Sequence, residues 1–174
     1  MSSDALKGRG PGGTLLTMFI TQSRREGAVV VRHLAPQDIE AAMALVSVTF
    51  SELFAPDMYV AIQQAWPAGQ LVEVDAAGRL VGLLLAIKRS AFSGRILVMA
   101  VRGDARGRGT GSQLLRLFLR QCLVEGVQEV VLEVRVSNLR AQSFYGRSGF
   151  VHVGTLPRYY RDGEDGYVMA RRMA

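Results

Sequence analysis

The sequence is poor in cysteine and in long apolar runs, and each shortage excludes a class of protein. Its one cysteine, Cys122, excludes an intrachain disulfide framework or a cysteine-built zinc site. Its longest apolar run, Leu80 to Ile87, is far shorter than the roughly 20 residues of a membrane-spanning helix. The apolar patch 15–20 lacks the cleavage site of a secretory signal. We therefore expect a cytoplasmic protein that does not cross a membrane and holds no metal ion.

Size and charge bound the remaining possibilities. A chain of 174 residues with 49% hydrophobic and 21% charged residues has enough apolar material for one core. We expect a single domain over residues 28–174 and a flexible extension over 1–27, which is rich in Gly, Ser and Pro. The net charge is +6, and residues 101–174 carry twelve Lys or Arg against seven Asp or Glu. This excess predicts that an anionic ligand binds in the C-terminal half.

Apolar periodicity and turn residues predict the element order β-α-α-β-β-β-α-β-α-β-β. This order indicates an α/β fold with a mixed sheet of about seven strands and helices on both faces. Cys122 falls at helical spacing among apolar residues, so it is predicted to be a core residue. The predicted strands are 28–34, 70–74, 79–88, 95–101, 129–136, 150–156 and 167–173, and the predicted helices are 36–50, 57–66, 112–125 and 138–147.

A glycine-rich turn, Arg106 to Gly111, follows a hydrophobic strand and precedes an amphipathic helix. Glycines there let backbone N–H groups approach a ligand, and a helix N-terminus adds partial positive charge. A pyrophosphate suits such a site, and a solvated basic turn is the alternative. A Walker loop fails because Arg108 and Gly109 stand where Gly and Lys are required. A dinucleotide fingerprint fails at Ser112 or Leu114, depending on its start.

The pattern that fits this turn is Arg-x-x-Gly-x-Gly, and with it the chain resembles the GNAT acetyltransferase superfamily. A second block, residues 132–138, is similar to the ribosomal-protein alanine N-acetyltransferases and the archaeal protein N-terminal acetyltransferases. The likeness spans about residues 28–173. Gly103, Ala105 and Gly107 depart from the residues common in that family, which implies a looser cradle. The second block is followed at family spacing by Ala141, Tyr145, Gly149 and Phe150.

The resemblance implies a mostly antiparallel sheet and acetyl-coenzyme A as co-substrate, with no metal. It assigns the cofactor to the backbone of one strand, to the glycine-rich turn and to the start of the two following helices. The residues so assigned are Met99, Ala100, Val101, Arg106, Gly107, Arg108, Gly109, Thr110, Gly111, Ser112 and Asn138. Asn138 is also a natural N-cap, and the two roles are compatible.

Two side chains match the family's catalytic positions. Strand alternation turns Glu133 away from the apolar face that carries Leu132 and Val134, and a solvent-facing or Arg-paired carboxylate is the alternative interpretation. By resemblance, Glu133 is the general base that deprotonates the acceptor amine. Tyr145 matches the tyrosine that protonates the coenzyme A thiolate, although a core aromatic is the alternative. Transfer is expected to be direct, without a covalent enzyme intermediate.

The acceptor predicted by the resemblance is the N-terminal α-amine of a protein or peptide, including a ribosomal protein. Tyr159 and Tyr160 precede the acidic segment 162–165 and resemble the hairpin that covers the peptide in that family. The loop between the first two helices supplies the opposite wall, with Phe54, Pro56 and Tyr59. Three alternatives stay open: a small-molecule amine as acceptor, a basic nucleic-acid-binding module, and a non-catalytic acyl-coenzyme A sensor.

Overall fold

The computed structural model describes residues 29–50 and 54–173, so the predicted extension 1–27 lies outside the described residues. The element order predicted from the sequence is confirmed, and most boundaries differ from the prediction by one or two residues. The strands are β1 Val30–His33, β2 Gln70–Val74, β3 Leu80–Ser90, β4 Ser93–Val101, β5 Glu129–Arg135, β6 Val151–Leu156 and β7 Gly166–Arg172. The helices are α1 Ile39–Thr49, α2 Pro56–Ala65, α3 Thr110–Val124 and α4 Leu139–Arg147.

The seven strands form one sheet in the order β1-β2-β3-β4-β5-β7-β6. Every neighbouring pair is antiparallel except β4 and β5, which run parallel. Parallel strands need a crossover connection, and α3 provides it. The mixed, mostly antiparallel sheet of the prediction is therefore confirmed.

Strands β4 and β5 separate along their length. They pair only from Ser93–Ile96 against Glu129–Leu132, while β4 continues to Val101 along β3. On the β3 side, Leu85 pairs with Val98 and Ala86 with Ile96, so Leu97 is the extra residue of a β-bulge. The end of β4 is therefore not paired with β5, and we call the opening between them the β4–β5 split.

The two faces of the sheet bury separate apolar cores. Helices α3 and α4 cover one face, where Leu114, Phe118 and Leu132 are buried. Helices α1 and α2 cover the other, where Ala42 and Leu83 are buried. Alternation in β5 is confirmed because Val130, Leu132 and Val134 all lie in the first core. Cys122 is fully buried there, as predicted, and burial raises the pKa of its thiol to about 12.

Helix α3 begins two residues earlier than the periodicity predicted. Its N-cap is Gly109, in the left-handed conformation at φ 92°, so Thr110 and Gly111 belong to the first helical turn. At the other end Gly126 has φ 72° and ends the helix, as predicted. In the described part of the chain, no helix is both long and apolar enough to span a bilayer.

Candidate active site

The glycine-rich turn forms a backbone cradle at the start of α3. Gly107 and Gly109 have φ of 75° and 92°, and a Cβ on either would meet no atom of the described residues within 4 Å. These two glycines therefore serve the backbone conformation and ligand access rather than packing. The first helical bond runs from the Gln113 N–H to the Gly109 carbonyl, so the N–H groups of the first turn have no helical acceptor. Such groups, with the helix dipole, suit a pyrophosphate.

The arginines of this turn differ in how they are held. The Arg106 Nε donates to the Val101 carbonyl at 3.1 Å, which links the turn to the end of β4. Arg108 is exposed. Ser112 is exposed in the first turn of α3, next to Gly111. The residues predicted for the phosphate site are thus contiguous on one end of α3, and two guanidinium groups supply positive charge around it.

A buried carboxyl group lies directly beneath the cradle. Glu73 on β2 is 2% exposed, and its Oε1 accepts a hydrogen bond from the Thr110 hydroxyl at 2.8 Å. Within the described residues, no partner reaches its Oε2. Burial raises the pKa of Glu73, and the bond from Thr110 opposes this in part. The raised pKa favours the protonated form, which puts less negative charge under a turn predicted to accept a pyrophosphate.

Glycine in β3 makes room for this polar pair. Gly82 lies opposite Glu73 in the sheet, and a Cβ at Gly82 would be 2.5 Å from the Thr110 side chain. That distance is shorter than any normal contact, so a larger residue would displace Thr110. Glu73 and Gly82 were not singled out from the sequence, because their role depends on a contact between β2, β3 and α3.

The β4–β5 split lies beside the cradle. Met99, Ala100 and Val101, predicted to bind the cofactor through their backbone, belong to the part of β4 that has left β5. Met99 joins the two regions: a Cβ on Gly111 would lie 3.1 Å from the Met99 Cε, and the Tyr145 hydroxyl donates to the Met99 sulfur at 3.7 Å. A linear ligand whose phosphates lie on the cradle could therefore extend along the split.

Tyr145 approaches the split from α4. The Asn138 Oδ1 caps this helix by accepting from the Ala141 N–H at 3.0 Å, so the predicted N-cap role is confirmed. The Tyr145 ring packs edge-on against Phe144 and Phe150, with centroids 5.2 and 5.6 Å away. Burial raises the pKa of the Tyr145 hydroxyl above its ordinary value. The hydroxyl therefore keeps its proton at neutral pH, as a proton donor must.

Glu133 stands at the mouth of the split. It follows Leu132, the last β5 residue paired with β4, and its side chain is 14% exposed. The Arg95 guanidinium contacts its Oε2 through Nε and Nη2, both at 2.9 Å. The carboxylate is thus Arg-paired, yet both contacts fall on one oxygen. Arg95 was missed in the sequence because nothing local shows that β4 and β5 are neighbours.

The β6–β7 hairpin closes over this mouth. The Arg95 Nη2 also donates to the Tyr159 hydroxyl at 2.7 Å, and Tyr159 packs edge-on against Tyr160 at 5.1 Å. Burial raises the pKa of Tyr160 to about 12, and the negative charge of Glu133 contributes in the same direction. Both predicted tyrosines therefore lie near the candidate general base.

A second arginine anchors the acidic end of the same hairpin. Arg135 pairs with Asp162 at 2.7 Å and Glu164 at 2.8 Å, and its guanidinium lies 4.0 Å from the Tyr160 ring centroid. Hydrogen bonds from Ser137, with the Arg135 pair, lower the pKa of Glu164 to about 2. The acidic segment is therefore a structured anchor to β5 rather than a solvated turn.

The predicted peptide-wall residues Phe54, Pro56 and Tyr59 lie on the α1–α2 face of the sheet, around a cavity between these two helices. Phe54, Pro56 and Tyr59 line it together with Met43 and neighbouring residues of α1, and its volume is about 570 Å³. Tyr59 is 1% exposed, so most of its ring is packed in the second core. Residues 51–53 of the same loop lie outside the described residues.

No group of three or more His, Cys, Asp or Glu side chains suited to a metal ion occurs within residues 29–50 and 54–173. The arrangement can do acid–base chemistry: a carboxylate and a protonated tyrosine flank an opening that leads from the glycine-rich turn. This combination serves transfer of a group carried by a phosphate-containing ligand to a nucleophile that must lose a proton.

Comparison with known proteins agrees with this chemistry. The model of the acetyltransferase (GNAT) family matches residues 39–150. An N-alpha-acetyltransferase of Sulfurisphaera tokodaii is 31% identical over 166 residues, which cover 88% of this chain and 98% of the relative. The family match includes the cradle, Glu133 and Tyr145.

Solved structures of similar proteins share the fold of this chain. Ard1 from Thermoplasma volcanium is 33% identical, with a TM-score of 0.81 over 84% of this chain and 99% of that one. Arabidopsis thaliana Naa50, solved with the bisubstrate analogue CoA-Ac-MVNAL, is 26% identical, with a TM-score of 0.75 over 82% and 97% of the two chains. That analogue carries coenzyme A and the sequence MVNAL in one molecule.

Proposed function

The chain belongs to the acetyltransferase (GNAT) family, and from that basis we propose that it transfers the acetyl group of acetyl-coenzyme A to the N-terminal α-amine of a protein or peptide. It is an acyltransferase, and acetyl-coenzyme A is its co-substrate. The observation that carries the proposal is the placement of Glu133 and Tyr145 beside the β4–β5 split, under a tyrosine hairpin that can cover a peptide.

The cofactor residues fit the proposed co-substrate. Glycines at 107 and 109 open the backbone for a pyrophosphate, while Arg106 and Arg108 provide charge. The pantetheine arm would then follow the backbone of 99–101 toward Tyr145, because unpaired strand groups can accept and donate hydrogen bonds there.

In the proposed mechanism the two side chains each move one proton. Glu133 takes a proton from the acceptor ammonium, and the amine nitrogen then attacks the thioester carbonyl. As the carbon–sulfur bond breaks, the Tyr145 hydroxyl donates its proton to the sulfur, and the second amine proton restores the hydroxyl directly or through solvent. Since both Arg95 contacts fall on the Glu133 Oε2, Oε1 would be the oxygen that takes the amine proton.

The acceptor class follows from acidity as well as from shape. An α-amine has a reference pKa of about 7.7–8.0, against about 10.4 for lysine, so a carboxylate base removes its proton with less help. The relatives named N-alpha-acetyltransferase and the peptide-bearing ligand of Naa50 support the same class. We therefore place the small-molecule amine second.

Matched peptides test this proposal. One peptide carries a free α-amine with its lysines acetylated, and its partner carries a blocked α-amine with the same lysines free. With acetyl-coenzyme A, mass spectrometry should find one added acetyl group on the first peptide and none on the second. Glu133→Gln should slow that reaction most at pH values below the amine pKa. Acetylation of the second peptide, or of small amines alone, would refute the acceptor assignment.

A further inference from the structure

We propose that Arg95 is a positioning residue that couples the position of the β6–β7 hairpin to the orientation of the general base; this rests on the proposed function. Its guanidinium contacts both Glu133 and Tyr159. One residue thus joins β4, β5 and the hairpin at the point where an acceptor amine must arrive.

The geometry makes Arg95 suited to this task. Arg95 lies opposite Val131, in the last paired part of β4 and β5, so its backbone is held by the sheet. A planar guanidinium with several donors can bind two acceptors in fixed directions. Here Nε and Nη2 contact the Glu133 Oε2, and Nη2 also reaches the Tyr159 hydroxyl at 2.7 Å.

The Arg95 guanidinium links the Glu133 carboxylate to the Tyr159 hydroxyl, and both groups must be in place when the acceptor binds. Binding of Oε2 through two guanidinium nitrogens restricts rotation of the Glu133 carboxylate. The Tyr159 hydroxyl accepts from Arg95, so its own proton remains available as a donor. Loss of the Tyr159 contact would therefore relax the Arg95 guanidinium and, with it, the orientation of Glu133.

Arg135 provides the contrast. It holds the acidic end of the same hairpin through Asp162 and Glu164, and among the described residues its ion pairs are with those two rather than with Glu133. If the hairpin alone mattered, loss of Arg95 and loss of Arg135 would have the same kinetic effect. If Arg95 also orients the base, only its loss should lower the rate of the chemical step strongly.

The experiment measures kcat and KM for a peptide with a free α-amine, and Kd for acetyl-coenzyme A. Arg95→Met should lower kcat by about tenfold or more, because a misplaced base loses most of its contribution. The Kd should stay within about twofold. Arg95→Lys should restore part of kcat, since it returns the charge without the fork. Arg135→Met should mainly raise KM, and the exposed Arg89→Met on β3 is the matched control.

A double-mutant cycle tests the coupling. Tyr159→Phe should lower kcat in the wild-type background. In the Arg95→Met background it should change kcat by no more than about twofold, because each substitution removes the same Arg95–Tyr159 hydrogen bond. Additive effects, or equal loss of kcat in Arg95→Met and Arg135→Met, would overturn the proposal. Thermal melts check folding; if Arg95→Met does not fold, Arg95→Lys and Tyr159→Phe provide the cycle. If the wild type acetylates only lysine or small amines, the proposed function fails separately, and the cycle is measured on that acceptor.

Discussion

Replacing the buried Glu73 by glutamine should make the protein relatively more stable as pH rises. Glutamine keeps the shape of the side chain and an oxygen that can accept from the Thr110 hydroxyl. It cannot ionise. The difference in the free energy of unfolding between the two proteins therefore isolates the titration of one carboxyl group.

The sign follows from the raised pKa of Glu73. At pH values below the ordinary Glu pKa of 4.5, Glu73 carries its proton in both the folded and the unfolded chain, so it does not affect the free energy of unfolding through ionisation. Above that value the unfolded chain ionises first, so stability is lost as pH rises toward the folded pKa, at about 1.4 kcal/mol per pH unit. Wild type should therefore lose stability relative to Glu73→Gln between pH 4.5 and neutrality.

The magnitude comes from the surroundings of the carboxyl group. Glu73 is 2% exposed, and among the described residues its Oε2 has no hydrogen-bond partner. Leaving a buried polar atom without a partner costs about 1–3 kcal/mol, more when the group is charged. We expect the stability difference between the two proteins to shift toward glutamine by about this amount as pH rises across the range.

Urea unfolding at several pH values from about 4.5 to about 7.5 measures the difference. The matched control is Glu40→Gln, which removes a carboxylate from an exposed position on α1 and should differ from wild type by less than about 0.5 kcal/mol. A difference for Glu73→Gln that does not change with pH, or that shifts toward the wild type as pH rises, would refute the reasoning.

Three further outcomes are expected. Gly109→Ala should weaken acetyl-coenzyme A binding in calorimetry, because φ of 92° strains a residue with a Cβ. The control is Gly126→Ala, which introduces the same kind of strain at the far end of α3 and should leave the affinity unchanged. Tyr145→Phe should lower kcat by roughly 10²-fold with Kd for acetyl-coenzyme A intact, and full activity would exclude it as the acid. Asn138→Ala should cost about 1 kcal/mol in chemical denaturation through loss of the helix cap, and no loss would show that the cap is dispensable.

The sequence alone determined the elements and the chemistry-bearing turn, because those depend on nearby residues. Periodicity located the helices, alternation turned Glu133 away from the core, and Asn138 was recognisable as an N-cap. The glycine pattern of residues 106–111 indicated a phosphate cradle, and the positive φ values of Gly107 and Gly109 agree with it. Helix α3 starts two residues before its predicted start, because Gly109 itself serves as the N-cap.

Tertiary structure alone decided which of these residues meet. Glu133 and Arg95 are 38 positions apart, and Glu73 and Thr110 are 37 apart, so no local periodicity relates them. Their contacts require the parallel pairing of β4 with β5 and the packing of α3 on β2 and β3. The split beside Met99 likewise arises from where that pairing stops. Strand pairing across the chain is set by the packing of the whole core, which is why the base's arginine partner emerged only in three dimensions.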